Sequence, residues 1–239
     1  MTDITNLSTV NVAISNYIAV VTMNNPPVNA QNRQFHDDLT LAFDVLSDRN
    51  DVRSIVLTGA GKCFSAGADI KGRASQESDL GDHWVHSRRV RECFYSIMEC
   101  RKPVIAAING AALGAGLAVA ASADILIASE SASVGLPEIN VGLLGGGRHA
   151  MRLFGHSKTR RLMLTGQRLS GAELYRLGIV EECVPDDDLM RAALEIAEEL
   201  ASKSPVAMSL AKETLNAIEE MALRDGYRYE QNKTCLLYT

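Results

Sequence analysis

Three stretches carry residues whose type and spacing suit chemistry. FSAGADI (64–70) and NGAALGAG (109–116) each set small residues after an apolar run, and LPEI (136–139) places Glu138 in an apolar, glycine-rich segment spanning 134–147. Small side chains let a backbone approach a ligand closely, and the second stretch opens a helix whose first amides lack intrahelical partners. Two such amides can hold a developing oxyanion. A carboxylate in apolar surroundings is either paired with a base, such as Arg148, or held with a raised pKa for proton transfer. The pattern leaves both readings of Glu138 open.

Other motifs fail. GAGK at 59–62 has Val56 where a phosphate loop needs its first glycine and Cys63 where it needs a hydroxyl. Gly110, Gly114 and Gly116 do not have the dinucleotide spacing GxGxxG. No GxSxG elbow exists, and Ser65 has no identifiable base, so it reads as a turn residue. His83, His86, His149 and His156 are too scattered for a metal cluster, so they read as solvated or packing groups and no metal is expected. Trp84 reads as a pocket wall or core residue.

The elements that must position these residues follow from hydrophobic period. Val10 to Met23 reads as two short strands, stopped by NNPPVN at 24–29. From Asn32 a helix sets Phe35, Leu39, Phe43 and Leu46 on one face, with Asp37, Asp38 and Asp44 on the wetter side. SIVLTG (54–59) is a buried strand, 73–82 a polar loop, and 84–99 a helix. A strand at 104–108, a small-residue helix at 112–121 and a strand at 125–128 follow. Ser170 with Glu173 signals a capping box, and Ser204-Pro205 opens the last expected helix, 205–222, after one near 189–202. Strand, glycine turn and helix recur three times, which predicts an α/β fold of repeated ββα units.

The 239 residues suffice for one large domain, or a core domain with a C-terminal extension. A balance of 24 basic against 29 acidic residues, with no basic run, and only 5% aromatics argue against nucleic-acid binding. Five cysteines without a CxxC pair read as reduced, mostly buried thiols. The first residues lack a secretory pattern, so a cytoplasmic location is expected. The apolar stretch at 103–129 is broken by Asn109, Ser122 and Asp124, so no membrane span is expected.

FSAGADIK (64–71), KPVIAAINGAALGAG (102–116), ADILIAS (123–129), GLPEINVGLL (135–144) and LTGQRLSGAELYRLGIVEECVP (164–185) together resemble the crotonase, or enoyl-CoA hydratase/isomerase, family. The resemblance covers about Val10 to Leu223, in the same motif order. It implies a crotonase-like spiral of ββα units over 1–185, and a C-terminal helical region over 186–239 that trimerises as a homotrimer or dimer of trimers. The substrate implied is an acyl-CoA thioester. Coenzyme A enters as part of that substrate, and no other cofactor is implied.

By motif, the enolate-stabilising amides are those of Ala68 and Ala115, and Glu138 is the principal proton carrier. Ala66, Gly67, Asp69, Ile70 and Lys71 fall along the CoA and pantetheine path, Ala30 near the adenine, with Gly114, Pro137 and Gly146 as further substrate contacts. Gly146 offers an amide to a water. Hydratases of the family carry another Glu three residues after the second oxyanion position, where this chain has Ala118. One of two acid/base groups is missing. Hydration of a 2-enoyl-CoA is favoured over double-bond isomerisation or a single-Glu hydratase/lyase reaction, and a non-catalytic acyl-CoA binder is the remaining alternative. His149 reads as a packing residue rather than a replacement acid. The family's last helix is expected to be missing or replaced after Gln231.

Overall fold

The computed structural model describes residues 4, 6–70, 72 and 79–237. Strand β1 (Val10–Ser15) alternates buried with wetter positions and pairs antiparallel with the more buried β2 (Ile18–Met23). Asn16 and Tyr17 between them both take positive φ, as a two-residue hairpin whose twist matches its strands requires. The two-residue β3 (Ala30–Gln31) leads into α1 (Arg33–Asp48), capped by Asn32, whose Oδ1 accepts from the Phe35 amide at 2.9 Å.

The apolar face of α1 is the expected one, with a correction. Asp38 is buried, not on the wetter side. Its Oδ2 accepts from the amides of Ser8 and Thr9 and from the Thr9 hydroxyl, and its Oδ1 accepts from Gln34. A carboxylate with four donors is tolerated inside, and here it ties the entry to β1 onto the helix.

Strand β4 (Ser54–Gly59) is buried throughout; β5 (Cys63–Ser65) and β6 (Gly67–Ala68) follow. Most of the expected polar loop, residues 73–78, lies outside the described residues. Its end is helical, because α2 (Leu80–Met98) starts earlier than its apolar period suggests, capped by Asp79 through the Asp82 amide. Trp84 is 70% exposed on that first turn and a half, so it is not a core residue.

The small-residue stretch is divided rather than wholly helical. After β7 (Val104–Ile108), residues 111–113 form strand β8 (Ala111–Leu113), and only then does α3 (Ala115–Ala121) begin. Strands β9 (Ile125–Ser129) and β10 (Ser133–Gly135) lead into a single 3-10 turn, Pro137–Val141, and then α4 (Gly147–Leu153). Helix α5 (His156–Thr165), strand β11 (Arg168–Ser170), α6 (Gly171–Arg176) and β12 (Cys183–Val184) complete the core. The expected Ser170 cap is present.

Strands β1-β2-β4-β7-β9-β12 form one sheet, parallel from β2 onward, and β11-β10-β8-β5 form a second. Helices α1 and α3 pack into the main core with Phe64 and Ile108. Helix α7 (Leu189–Ala201) covers the other face of the first sheet, where Ala192, Ala193 and Ala197 meet Val56, Ile105 and Ile127. Helices α8 (Pro205–Ile218) and α9 (Leu223–Cys235) follow. Helix α9 continues past Gln231 as far as Cys235. Among the described residues no helix is long and apolar enough to cross a membrane.

Candidate active site

Two short segments meet where β6 passes the start of α3. The Asp69 amide donates to Gln31 O at 3.1 Å, and successive strand amides point in opposite directions, so that of Ala68 turns away from β3. Helix α3 packs against β6, and an added Cβ on Gly67 would lie 3.3 Å from the Ala115 nitrogen. Ala115 is the first residue of α3, and no hydrogen bond from its amide is found among the described residues.

Gly114 makes this possible. It takes φ +56° and ψ −117°, a combination that glycine alone adopts readily. Its amide donates to Gly135 O at 2.9 Å, which fixes the turn to β10. The missing side chain also matters, because a Cβ on Gly114 would fall 2.3 Å from Glu138 Oε1. The carboxylate therefore lies against the backbone one residue before the α3 amide.

Glu138 is the second residue of the 3-10 turn Pro137–Val141, and its carbonyl accepts from Leu143 at 3.0 Å. Its Oε2 is buried without a hydrogen-bond partner. Burial raises its pKa, partly opposed by a hydrogen bond from the backbone. Of the two readings left open by sequence, pairing with Arg148 fails, since Arg148 pairs with Glu220. Gly145 and Gly146 continue the same wall, the first 3.5 Å from Glu138 Oε1 and the second 3.4 Å from Gly114 O, each measured from an added Cβ.

The remaining expected positions are placed less tightly. Ala30 pairs with Gly67 across β3 and β6, so it belongs to the same edge. Asp69 accepts from the Gly72 amide at 3.0 Å, which holds the turn after β6. Ala66 and Ile70 are exposed and Pro137 is half-buried. Lys71 lies outside the described residues. Ala118 is 1% exposed in the core, and its amide donates to Gly114 O. His149 stacks edge-on against Phe94, with ring centroids 4.9 Å apart, and burial lowers its pKa. Gly145 and Gln31 were not singled out by motif; neither a loop glycine nor a glutamine at a strand end carries a periodic signal.

An α/β fold with a helix-opening amide beside a half-buried carboxylate that lacks a partner at Oε2 defines a scaffold able to hold an oxyanion next to a proton-carrying group, and similarity to known proteins makes it specific. A family model described as Enoyl-CoA hydratase/isomerase matches residues 13–235. A probable mitochondrial enoyl-CoA hydratase of Dictyostelium discoideum is 37% identical over 218 residues, covering 90% of this chain and 77% of that protein. A (7aS)-7a-methyl-1,5-dioxo-2,3,5,6,7,7a-hexahydro-1H-indene-carboxyl-CoA hydrolase of Mycobacterium tuberculosis is 37% identical over 218 residues, covering 91% and 87%. Among solved structures, an enoyl-CoA hydratase from Bacillus anthracis superposes with TM-score 0.91 at 31% identity, covering 97% and 92%. DspI of Pseudomonas aeruginosa does so with TM-score 0.90 at 33% identity, covering 96% and 95%. The chain belongs to the enoyl-CoA hydratase/isomerase, or crotonase, family.

Proposed function

We propose that this chain adds water reversibly to a 2-enoyl-CoA thioester, with Glu138 as its proton carrier. The observation that carries this is the Glu138 carboxylate, half-buried, unpartnered at Oε2 and lying against Gly114, next to the Ala115 amide. The thioester oxygen accepts from the Ala68 and Ala115 amides, which stabilise charge that develops there only as the enolate forms. Glu138 takes a proton from water as the water oxygen bonds to the β carbon. The carbon–carbon π pair moves onto the α carbon and thioester oxygen. The protonated carboxyl then delivers that proton to the α carbon, so hydrogen and hydroxyl are both accounted for. A carboxylate with a raised pKa suits both halves of this transfer.

With Ala118 in place of a second carboxylate, a second reading has support. Glu138 alone can also remove a proton from the α carbon of a 3-enoyl-CoA and return it to the γ carbon. Relatives named as hydratases favour the first reading. The test is turnover of crotonyl-CoA and of a 3-enoyl-CoA, followed by the enoyl thioester absorbance. Glu138→Gln should lower the rate by about a thousandfold, within the range of a lost general acid/base. Unchanged turnover in that variant sinks the mechanism, and thioester binding without turnover of either substrate favours a binding protein.

A further inference from the structure

Expected as a turn residue, Ser65 instead ends β5 and is fully buried. Its hydroxyl is the centre of a buried polar cluster. It has one proton, which it donates to Asn29 O at 2.7 Å, so its other two partners are donors to it: Gln31 Nε2 at 3.1 Å and the Gly67 amide at 3.3 Å. Asn29 in turn donates through Nδ2 to Cys63 O at 2.7 Å, which ties the cluster back to the start of β5. Asn29 and Gln31 are buried as well, so these bonds form away from solvent.

The cluster adjoins both segments whose amides are assigned to the thioester oxygen. Gly67 takes φ +91°, and only its own backbone torsions separate its N–H from that of Ala68. Because glycine turns freely, the direction of the Ala68 N–H depends on what holds the chain on either side. Ser65 Oγ holds the Gly67 amide on one side, and Gln31 O holds the Asp69 amide at 3.1 Å on the other. The Ser65 carbonyl lies against the first turn of α3, where an added Cβ on Gly116 would fall 2.2 Å from it, one residue after Ala115. A single residue thus touches both segments that supply the oxyanion donors.

We propose that Ser65 is a positioning residue: through Gly67 and Gly116 it sets the spacing of the Ala68 and Ala115 amides around the thioester oxygen. The inference rests on the thioester reading above and deepens it, since hydration and double-bond isomerisation both need charge held at that oxygen. Spacing matters because groups about 1 Å out of place lose on the order of a hundredfold in rate.

Ser65→Ala leaves Gln31 Nε2 and the Gly67 amide without this acceptor. With whichever enoyl-CoA the native chain turns over, it should lower kcat by about tenfold to a hundredfold while KM changes by less than about twofold, because the lost interaction tightens in the transition state. Bound butyryl-CoA, a saturated thioester with an isotope-labelled carbonyl, gives a second readout. Its infrared carbonyl stretch should return in the variant towards the frequency of the free thioester. Ser65→Cys, which nearly keeps the side-chain volume and weakens the hydrogen bonds, should show both changes if Ser65→Ala does not fold. Ser54→Ala removes an equally buried hydroxyl, bonded to Ala197 O at 2.9 Å, and should alter neither. An unchanged kcat in a folded Ser65 variant, an unmoved carbonyl stretch, or an equal loss in Ser54→Ala overturns the positioning role and leaves the hydration reading standing. Absence of turnover in the native chain, with the carbonyl stretch still displaced on binding, overturns the hydration reading alone. Absence of both turnover and thioester binding overturns the two together.

Discussion

Gly114 performs two tasks that no other residue type can combine. Its positive φ turns the chain so that α3 begins with a free amide, and its missing Cβ leaves room for the Glu138 carboxylate. Gly114→Ala should therefore act on both. Placing Ala in this backbone region costs about 1–3 kcal/mol, and a shift of the carboxylate by about 1 Å costs on the order of a hundredfold in rate. The comparison is Gly155→Ala, where an added Cβ meets nothing within 4 Å and φ is −65°. Wild-type turnover in Gly114→Ala, with Gly155→Ala also unaffected, would show that Glu138 does not depend on that contact. The glycine was visible in the sequence as part of a small-residue run, but its contact with Glu138 was not. That contact joins residues 24 positions apart through the β8–β10 pairing, and no local pattern encodes a pairing between two three-residue strands.

Among the elements, α8 is tied to the core by a buried cation, Lys212, beside an Asn216 side chain that donates to Met98 O. Lys212 Nζ lies 2.8 Å from Asp124 Oδ2, and also donates to the carbonyls of Ile97 and Lys102 at 3.1 Å each. The side chains are 5% and 26% exposed. Asp124 also accepts from the Val104 amide at the start of β7. One ion pair thus joins the ends of α2 and β7, the entry to β9, and α8. Asp124→Ala leaves the ammonium buried with carbonyl partners only, and should cost about 2–4 kcal/mol in chemical denaturation. Lys212→Met combined with Asp124→Asn should recover part of that loss, because neither charge is then stranded. Equal destabilisation by the double and single variants would mean that the loss comes from packing rather than from the stranded charge. Long amphipathic elements such as α1 and α7 were legible from their 3.6-residue period, as was the capped start of α8 at Ser204. The strand β8 was not, since Ala-Ala-Leu after glycine has no alternation and reads equally as helix. The first turn of α2 was missed because its helix signal is the Asp79 cap rather than an apolar face.

For the whole molecule, stability should fall in mild acid, and His36 is the main reason. This ring is 1% exposed on α1, between Phe35 and His86, whose ring centroids each lie 6.0 Å away. Neither ring nitrogen has a hydrogen-bond partner. Burial, then the charges of His86 and Arg89, lower its pKa from 6.5 to about 4. The folded protein therefore keeps His36 neutral down to about pH 4, whereas the unfolded chain takes up a proton from pH 6.5 downward. More protons on the unfolded side mean that stability rises with pH inside that window and is flat above it. A gap of this size is worth roughly 3 kcal/mol across the window. His149, also lowered by burial, acts in the same direction. Glu138 and Asp124, raised by burial, act in the opposite one, since their folded forms hold protons longer as pH rises. His36→Phe removes the proton-binding difference and both orphaned nitrogens, and His36→Leu does so with less added volume. Urea denaturation at pH 7.5 and pH 5 should show a smaller pH-dependent loss in whichever variant folds as well as the native chain at pH 7.5. If that loss is the same as in the native chain, protonation of His36 is not what the acid acts on.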